Sequence, residues 1–155
     1  RVFDRLRTVA GQLDGFLVHS RFYAEYMQRY LSAPAGKFHQ LPLGIDVRQH
    51  TGTPRPAGQP PTIGYFARIT PEKGLRELVE AALLLKERGL EFRVLAGGYL
   101  HDRGYWEDVQ RLARPLGERF RYAGSPDTLA EKVAIFRDFD VLTVPSPYRD
   151  PKGLS

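Results

Sequence analysis

The chain has 155 residues, of which 42% are hydrophobic and 26% charged, the balance of an ordinary globular protein with one domain core or parts of two. It contains no cysteine, which excludes disulfides and thiolate metal sites, and no apolar run approaches the roughly 18 residues of a membrane-spanning helix. The net charge of +5, carried mostly by arginine, favours anionic partners: phosphates, nucleotides, nucleic acid or a membrane surface.

The first third of the chain predicts a strand, a helix and an extended segment. Residues 14–20 (DGFLVHS) are typical of a short buried strand, and residues 21–31 have apolar side chains at helical spacing. Residues 37–46 predict a second extended segment. Residues 48–61 contain four prolines and two glycines without periodicity, which predicts a loop or linker. Because the chain opens on RVFDRLRTVAGQ and stops on DPKGLS after a strand-like run, we expect it to be an internal piece of a longer protein.

From residue 62 onward, strand-like and helix-like segments alternate. Strands are predicted near 62–68, 91–96, 119–123 and 140–145, with three helices between them. Gly89 is suited to a left-handed cap after the first helix, and Pro115 ends or kinks the second. Strands that alternate with helices of ten or more residues form parallel sheets through βαβ crossovers. The predicted fold class is therefore α/β, with a parallel sheet and flanking helices.

Two cations stand where the first strand of this alternating part ends and its helix begins. Arg68 follows the strand, and Lys73 is expected in the first helical turn, with Thr70 as cap and Pro71 at the first position. Free N–H groups and the helix dipole already attract an anion there. Two added cations are explained by a bound polyanion such as a diphosphate, which arginine grips bidentately and lysine as a point charge. Alternatively, both are solvated surface cations, with Lys73 paired to a nearby carboxylate.

Glycines follow the next two predicted strands at the same edge of the sheet. Gly97 and Gly98 end the second strand, and Gly124 ends the third, before a helix that Ser125 or Asp127 could cap. Such glycines permit either a close approach of backbone to ligand or a tight turn. They do not form a G-x-G-x-x-G fingerprint, which disfavours an NAD site. Since ligands of parallel α/β sheets bind at the carboxyl edge, the convergence of three strand ends is the stronger signal.

Other chemistry-bearing residues give weaker signals. The histidines lie in unrelated segments without metal-ligand spacing: His19, His39, His50 and His101. The chain has no G-x-S-x-G nucleophile motif. Trp106 and several tyrosines interleave with arginines, as on a nucleic-acid platform, but their helical spacing favours a place in the core.

A set of segments, in order and spacing, resembles the retaining, nucleotide-sugar-dependent glycosyltransferases of the group 1 family. These segments are LPLGID, GYFARITPEKGLRELVEA, FRVLAGG, YAG, FRDFDVLTVPS and DPKGLS, from about residue 36 to residue 155. The resemblance implies the GT-B architecture of two facing Rossmann-like domains. Residues 1–35 would then be the end of the N-terminal acceptor-side domain. Residues 36–155 would be the first part of the C-terminal nucleotide-sugar-binding domain.

By this resemblance, Arg68 and Lys73, the latter followed by Gly74, match the residues with which the family clasps the donor diphosphate. They are the candidate catalytic residues, because they would stabilise charge on the departing nucleoside diphosphate without a metal. In the family's N-G-V-D motif, Leu43 replaces the asparagine, and Gly44 and Asp46 match.

The family's E-P-F-G-L-x-x-x-E motif corresponds to DPKGL at the end of this chain. Asp150 takes the place of the first glutamate, and Gly153 and Leu154 would offer backbone N–H groups to the sugar or phosphate. The aspartate shortens the reach by one methylene, which leaves the donor sugar open. The second glutamate would lie three residues past Ser155. With Gly44, Gly97, Gly98 and Gly124, these residues complete the expected donor-binding set.

The resemblance implies a hexosyltransferase that uses a nucleotide sugar, such as a UDP- or GDP-sugar, without metal or other cofactor, and retains configuration. The donor base stays open. The piece alone is expected to be inactive. The acceptor, whether glycan, lipid or small molecule, stays open, and the expected location is cytoplasmic, with peripheral association at the inner membrane face as an option. One alternative is a GT-B-like module that binds a nucleotide without turnover. A less favoured one is a basic nucleic-acid binder, whose oligonucleotide affinity would depend steeply on salt.

Overall fold

The computed structural model describes residues 2–44, 46–50, 52 and 58–148. The described residues divide into two compact units, one up to Asp46 and the other from Val47 onward. The first unit thus extends beyond residue 35, because its second strand pairs with its first. None of the described helices is long and apolar enough to cross a bilayer.

The first unit is a small α/β arrangement. Its elements are α1 (Val2–Gln12), β1 (Phe16–Val18), α2 (Arg21–Leu31), a 3₁₀ turn (Ala35–Lys37) and β2 (Phe38–Gln40). The two strands pair in parallel, and the Phe16 and Phe38 rings, opposite each other in the register, stack at 4.8 Å. Ser20 caps α2, since its hydroxyl accepts from the Tyr23 N–H at 3.2 Å. The predicted strand, helix and extended segment are confirmed, and α1 is a helix that the sequence pattern did not reveal.

The second unit is a four-stranded parallel sheet with helices between successive strands. Its elements are β3 (Thr62–Phe66), α3 (Leu75–Glu87), β4 (Arg93–Gly97), α4 (Arg103–Ala113), β5 (Phe120–Tyr122), α5 (Leu129–Arg137) and β6 (Val141–Thr143). The strand order is β5-β4-β3-β6, and every neighbouring pair is parallel. The predicted α/β class and its four strands are confirmed. Because β4 and β5 lie on one side of β3 and β6 on the other, the strand order switches between β3 and β6.

The two faces of this sheet are covered by different helices. The main core lies between the sheet and α3 with α4, where alternate strand residues such as Tyr65 and Val94 meet helical residues such as Leu75 and Val109. The residues between them in the strands face the other way. A Cβ on Gly64 would lie within 2.5 Å of the Phe139 ring, and the Phe66 ring lies 5.0 Å from Phe136 of α5. Helices on both faces account for strands that are apolar on both sides.

Local signals set most helix ends. After α3, Gly89 has φ 74°, and the Gly89 and Leu90 amides donate to the Lys86 and Leu85 carbonyls, the bonding pattern of a Schellman cap. Pro115 ends α4 as expected, and residues 114–119 continue in 3₁₀ turns. The predicted cap of α5 is wrong: Thr128, not Ser125 or Asp127, forms a reciprocal capping box with Glu131.

Candidate functional site

The segment that joins β3 to α3, residues 67–74, carries both candidate cations and is called the β3–α3 loop. Arg68 is exposed, and Lys73 closes a 3₁₀ turn that runs from Pro71 to Lys73. Two details of the prediction are wrong here. Thr70 makes no side-chain capping bond to a backbone amide, and Lys73 precedes α3 instead of lying in its first turn, because Gly74 separates the two helices.

The structure explains why residue 74 is a glycine. Its φ is 76°, and a Cβ there would lie 2.0 Å from the Pro145 carbonyl oxygen, in the segment that follows β6. Glycine therefore lets the β3–α3 loop pack against the end of β6. It also leaves α3 without a capping side chain. The Tyr105 hydroxyl from α4 compensates, since it accepts from the Arg76 N–H at 3.0 Å.

The backbone around Arg68 is held by neighbouring groups. The Arg68 carbonyl accepts from the Tyr65 hydroxyl and from the Thr70 N–H, both at 3.1 Å. On either side, the Ala67 N–H donates to the Gly97 carbonyl at 3.2 Å, and the Ile69 N–H to the Tyr99 carbonyl at 2.8 Å. The Arg68 side chain, in contrast, is exposed, and none of the ion pairs found among the described residues involves its guanidinium. A fixed backbone thus presents an accessible cation.

One carboxylate shares the loop with the two cations. The pKa of Glu72 is lowered chiefly because its carboxylate accepts from its own backbone N–H, then because of the Thr70 hydroxyl and, more weakly, the charge of Arg68. Glu72 is therefore ionised at neutral pH and turned toward the start of the 3₁₀ turn. An anionic ligand of this loop would have to share it with that charge.

The glycines at this edge bring the strand ends together. Gly98 has φ 124°, and a Cβ there would lie 2.0 Å from the Ala67 carbonyl oxygen. The exits of β3 and β4 can therefore lie this close together only because residue 98 is a glycine. Its N–H donates to the Gly124 carbonyl at 2.9 Å, which ties in the exit of β5. Gly97 packs against the Phe66 ring, whereas Gly124, with φ 91°, faces open space. Close packing of backbone on backbone thus accounts for Gly98.

Four predicted donor-binding residues are not among the described residues of the second unit. Gly44 is an exposed residue of the first unit, with open space around its Cβ position. Asp150, Gly153 and Leu154 lie outside the described residues. The structure therefore brings together Arg68, Lys73, Gly97, Gly98 and Gly124 at one edge of one sheet.

Two hydroxyl residues of this edge were missed by sequence reasoning. Tyr65 supports Arg68 from within β3, and Ser146 donates from the segment after β6 to the Glu72 carbonyl at 2.5 Å. The second bond links the loops on the two sides of the strand-order switch. A signal for Tyr65 existed in the sequence, because its hydroxyl lies in the otherwise apolar run 63–67, three residues before the arginine.

Other features of the described residues offer no comparable site. No group of three or more histidine, aspartate or glutamate side chains in that part could hold a metal. Trp106 is buried in α4 with its ring 4.8 Å from that of Tyr122, which confirms its place in the core. A cavity of about 600 Å³ lies at the opposite, amino edge of the sheet, lined by residues such as Glu91, Arg93 and Arg121. Its wall contains three acidic and three arginine side chains, so its charges balance.

No family model matches the chain, but two curated proteins are similar in sequence. A glycogen synthase of Desulfatibacillum aliphaticivorans is 32% identical over 96 residues, which cover 61% of this chain and 19% of that protein. Escherichia coli (strain K12) WcaL, named provisionally as a colanic acid biosynthesis glycosyltransferase, is 31% identical over 141 residues, 86% of this chain and 32% of that protein. The chain thus spans between a fifth and a third of the length of these relatives.

Solved structures share its fold. A glycosyltransferase from Rickettsia africae matches 86% of this chain and 38% of its own with a TM-score of 0.70 at 19% identity. The C-terminal domain of a group 1 family glycosyl transferase from Francisella tularensis matches 66% of this chain and 59% of its own (TM-score 0.56, 21% identity). The pneumococcal O-GlcNAc transferase GtfA, in complex with UDP and GlcNAc, matches 90% and 27% (TM-score 0.62, 18% identity). The chain is therefore similar in sequence to glycosyltransferases and has the parallel α/β fold of their GT-B members.

Proposed function

We propose that this chain is part of a glycosyltransferase that transfers a hexosyl group from a nucleotide-sugar donor to an acceptor with retention of configuration. The second unit would contribute to the donor site, and the first would be the end of the acceptor-side domain. This proposal is supported by the similarity in sequence to the glycogen synthase and to WcaL, and by the fold shared with glycosyltransferases. The UDP in the GtfA structure belongs to that protein, and it supports a nucleotide donor here.

The observation that carries the proposal is the position of Arg68. It follows a central strand, beside the switch in strand order where ligands of doubly wound sheets bind. Its carbonyl accepts two hydrogen bonds and the N–H groups of the residues on either side are bonded to the exit of β4, while its guanidinium is exposed and outside any ion pair of the described residues. Such a group is suited to bind a diphosphate bidentately. Lys73, in the same loop, would add a second positive charge.

The chemistry proposed for this loop is electrostatic. When the bond between sugar and diphosphate breaks, negative charge grows on the departing nucleoside diphosphate. Arg68 and Lys73 would stabilise that charge, and this would need no metal ion. Because Glu72 contributes a carboxylate to the same loop, one cation would leave the loop electrically neutral, and the second provides the net positive charge. The proposed location of the protein is cytoplasmic, with peripheral association at the inner membrane face as an option.

The experiment is calorimetric titration of UDP, GDP and the matching nucleosides into the wild-type protein and into single variants. We expect a nucleoside diphosphate to bind far more tightly than its nucleoside. Arg68→Ala removes a charge-assisted bidentate contact worth about 1.5–3 kcal/mol, which corresponds to roughly a ten- to hundredfold loss of affinity. Lys73→Ala should cost a similar or smaller amount, because a point charge lacks the fork geometry.

Arg76→Ala is the matched control. Arg76 lies in the first turn of α3, is exposed, and pairs with Glu80, with 2.9 Å between its Nε and the Glu80 Oε1. Its removal should change the affinity less than twofold, since exposed ion pairs contribute little. Equal, small losses for all three variants would indicate a diffuse basic surface, and the specific site would be wrong.

A further inference from the structure

Tyr65 is a hydroxyl-bearing residue in the middle of an apolar core. Its side chain is 1% exposed and packs in the cluster formed by β3, β4, α3 and α4, with neighbours that include Leu75, Val79 and Val94. A buried hydroxyl without a partner costs free energy, whereas phenylalanine would fill nearly the same volume without that requirement. The partner of this hydroxyl is the Arg68 carbonyl at 3.1 Å.

The hydroxyl is a donor at any physiological pH. Burial raises the pKa of Tyr65, and the charges of Tyr105 and Glu77 raise it further, so the proton stays on the phenol. A neutral phenol can donate to the carbonyl. The bond therefore runs from the rigid interior of the sheet outward to the backbone of an exposed residue.

This bond fixes a peptide group that otherwise belongs to a loop. The Arg68 carbonyl also accepts from Thr70, two residues on, but that bond is local and moves with the loop. Ala67 and Ile69 are tied to the exit of β4 through their N–H groups. The Arg68 carbonyl and the Ile69 N–H belong to the same planar peptide group, which Tyr99 holds from the exit of β4 and Tyr65 holds from the core. Tyr65 is thus the side chain that joins the Arg68 carbonyl to the core, and it helps to fix the peptide that follows the arginine.

We propose that Tyr65 is a positioning residue for Arg68, acting through its hydroxyl, so that the guanidinium is held ready for a diphosphate. This inference rests on the proposed function, in which Arg68 binds the diphosphate of the donor. A pre-oriented arginine loses less conformational freedom when the ligand arrives, so the affinity for the diphosphate is higher than for the same side chain on a mobile backbone. The alternative is a hydroxyl that merely satisfies its own burial and affects stability alone.

A double-mutant cycle distinguishes a positioning role of the Tyr65 hydroxyl from an effect on stability alone. UDP, GDP and ADP are titrated calorimetrically into wild type, Tyr65→Phe, Arg68→Ala and the double variant, and the cycle is built on the nucleotide that binds wild type most tightly. Tyr65→Phe should weaken binding about three- to tenfold in the wild-type background, and less than twofold in the Arg68→Ala background, because its effect passes through the arginine. Melting curves confirm that each variant is folded at the assay temperature.

Tyr105→Phe is the control, since it removes one hydroxyl from the same region, but its partner is the Arg76 N–H at the start of α3. It should lower the melting temperature and leave the affinity within twofold. If Arg68→Ala binds as tightly as wild type, the proposed function fails at this site, and the inference fails with it. If Arg68→Ala binds weakly but Tyr65→Phe binds like wild type, or loses the same factor in both backgrounds, the inference alone is overturned.

Discussion

The two edges of the sheet in the second unit both carry arginine and carboxylate groups, but the groups are arranged differently. At the amino edge, Arg119 pairs with Glu91 at 2.8 Å, and the Asp140 carboxylate accepts from the Thr62 N–H at 2.6 Å. At the carboxyl edge, the Arg68 guanidinium lies outside the ion pairs of the described residues, while its carbonyl accepts two hydrogen bonds and the N–H groups of Ala67 and Ile69 are bonded to the exit of β4. Acidic and arginine side chains are equal in number in the wall of the amino-edge cavity, and Arg119 and Glu91 form an ion pair there. The carboxyl edge instead presents Arg68 to solvent beside the strand-order switch.

This difference shows that cavity volume and chemistry need not coincide. The space of about 600 Å³ at the amino edge has walls of balanced charge, with three acidic and three arginine side chains. The carboxyl edge has the strand-order switch, the exposed arginine and glycines that let three strand exits meet. On these physical grounds we propose that the ligand binds at the carboxyl edge and that the amino edge has a structural role.

The largest effect on stability is expected from Gly98→Ala at the carboxyl edge. The new Cβ would lie 2.0 Å from the Ala67 carbonyl oxygen, and residue 98 would have to keep a φ of 124°. The clash and the backbone strain together should lower the free energy of unfolding by about 3–5 kcal/mol. Chemical denaturation measures it. Gly124→Ala is the control, because its φ of 91° is also positive but the space around it is open, and we expect about 1–2 kcal/mol. Equal losses would refute the close approach of β3 and β4 exits.

At the amino edge, Asp140→Ala should affect stability without affecting nucleotide binding. Its carboxylate accepts from the Thr62 N–H at the start of β3, a charge-assisted bond whose loss should cost about 1.5 kcal/mol. Asp138→Ala, which removes an exposed carboxylate from the wall of the same cavity, should change the unfolding free energy by less than about 0.5 kcal/mol. A weaker affinity of Asp140→Ala for UDP, measured by calorimetry, would break the distinction between the edges.

A smaller effect is expected from pH at the start of α5, which follows the exit of β5. The pKa of Glu131 is lowered below its usual 4.5, first because its carboxylate accepts from the Thr128 N–H and then from the Asp127 N–H. A depressed pKa in the folded state gives stability that is present above the unfolded value and is lost as the pH falls through the folded value. The difference in melting temperature between wild type and Glu131→Ala should therefore have its largest value above about pH 5 and should shrink as the pH falls below 4.5. A difference that does not change with pH would contradict this.

Much of the second unit was predictable because its signals are local. The alternation of apolar strands with amphipathic helices predicts the parallel sheet, and Gly89 and Pro115 mark where two helices end. Arg68 could be located because it follows a strand at the edge where parallel α/β proteins bind ligands.

The contacts that define the site could not be predicted, because they join residues distant in sequence. Gly98 is glycine because of the carbonyl of Ala67, and Gly74 because of the carbonyl of Pro145. Lys73 was placed inside α3 since nothing local shows that Gly74 takes a left-handed conformation between two helices. The cap of α5 is a different case: Ser125 and Asp127 have the higher capping propensity, but the spacing of Thr128 and Glu131 is a local signature of the capping box that forms.

The central claim is that a nucleoside diphosphate binds at the carboxyl edge of the sheet, and hydrogen exchange followed by mass spectrometry tests it directly. Peptides from the protein with and without saturating UDP, GDP or ADP are compared, with the matching nucleosides as controls. We expect the nucleotide to slow exchange in peptides that cover the β3–α3 loop, residues 67–74, and to leave those covering 91–93 and 119–121 unchanged. Slower exchange at the amino edge, or equal protection by nucleoside and nucleotide, would contradict the account.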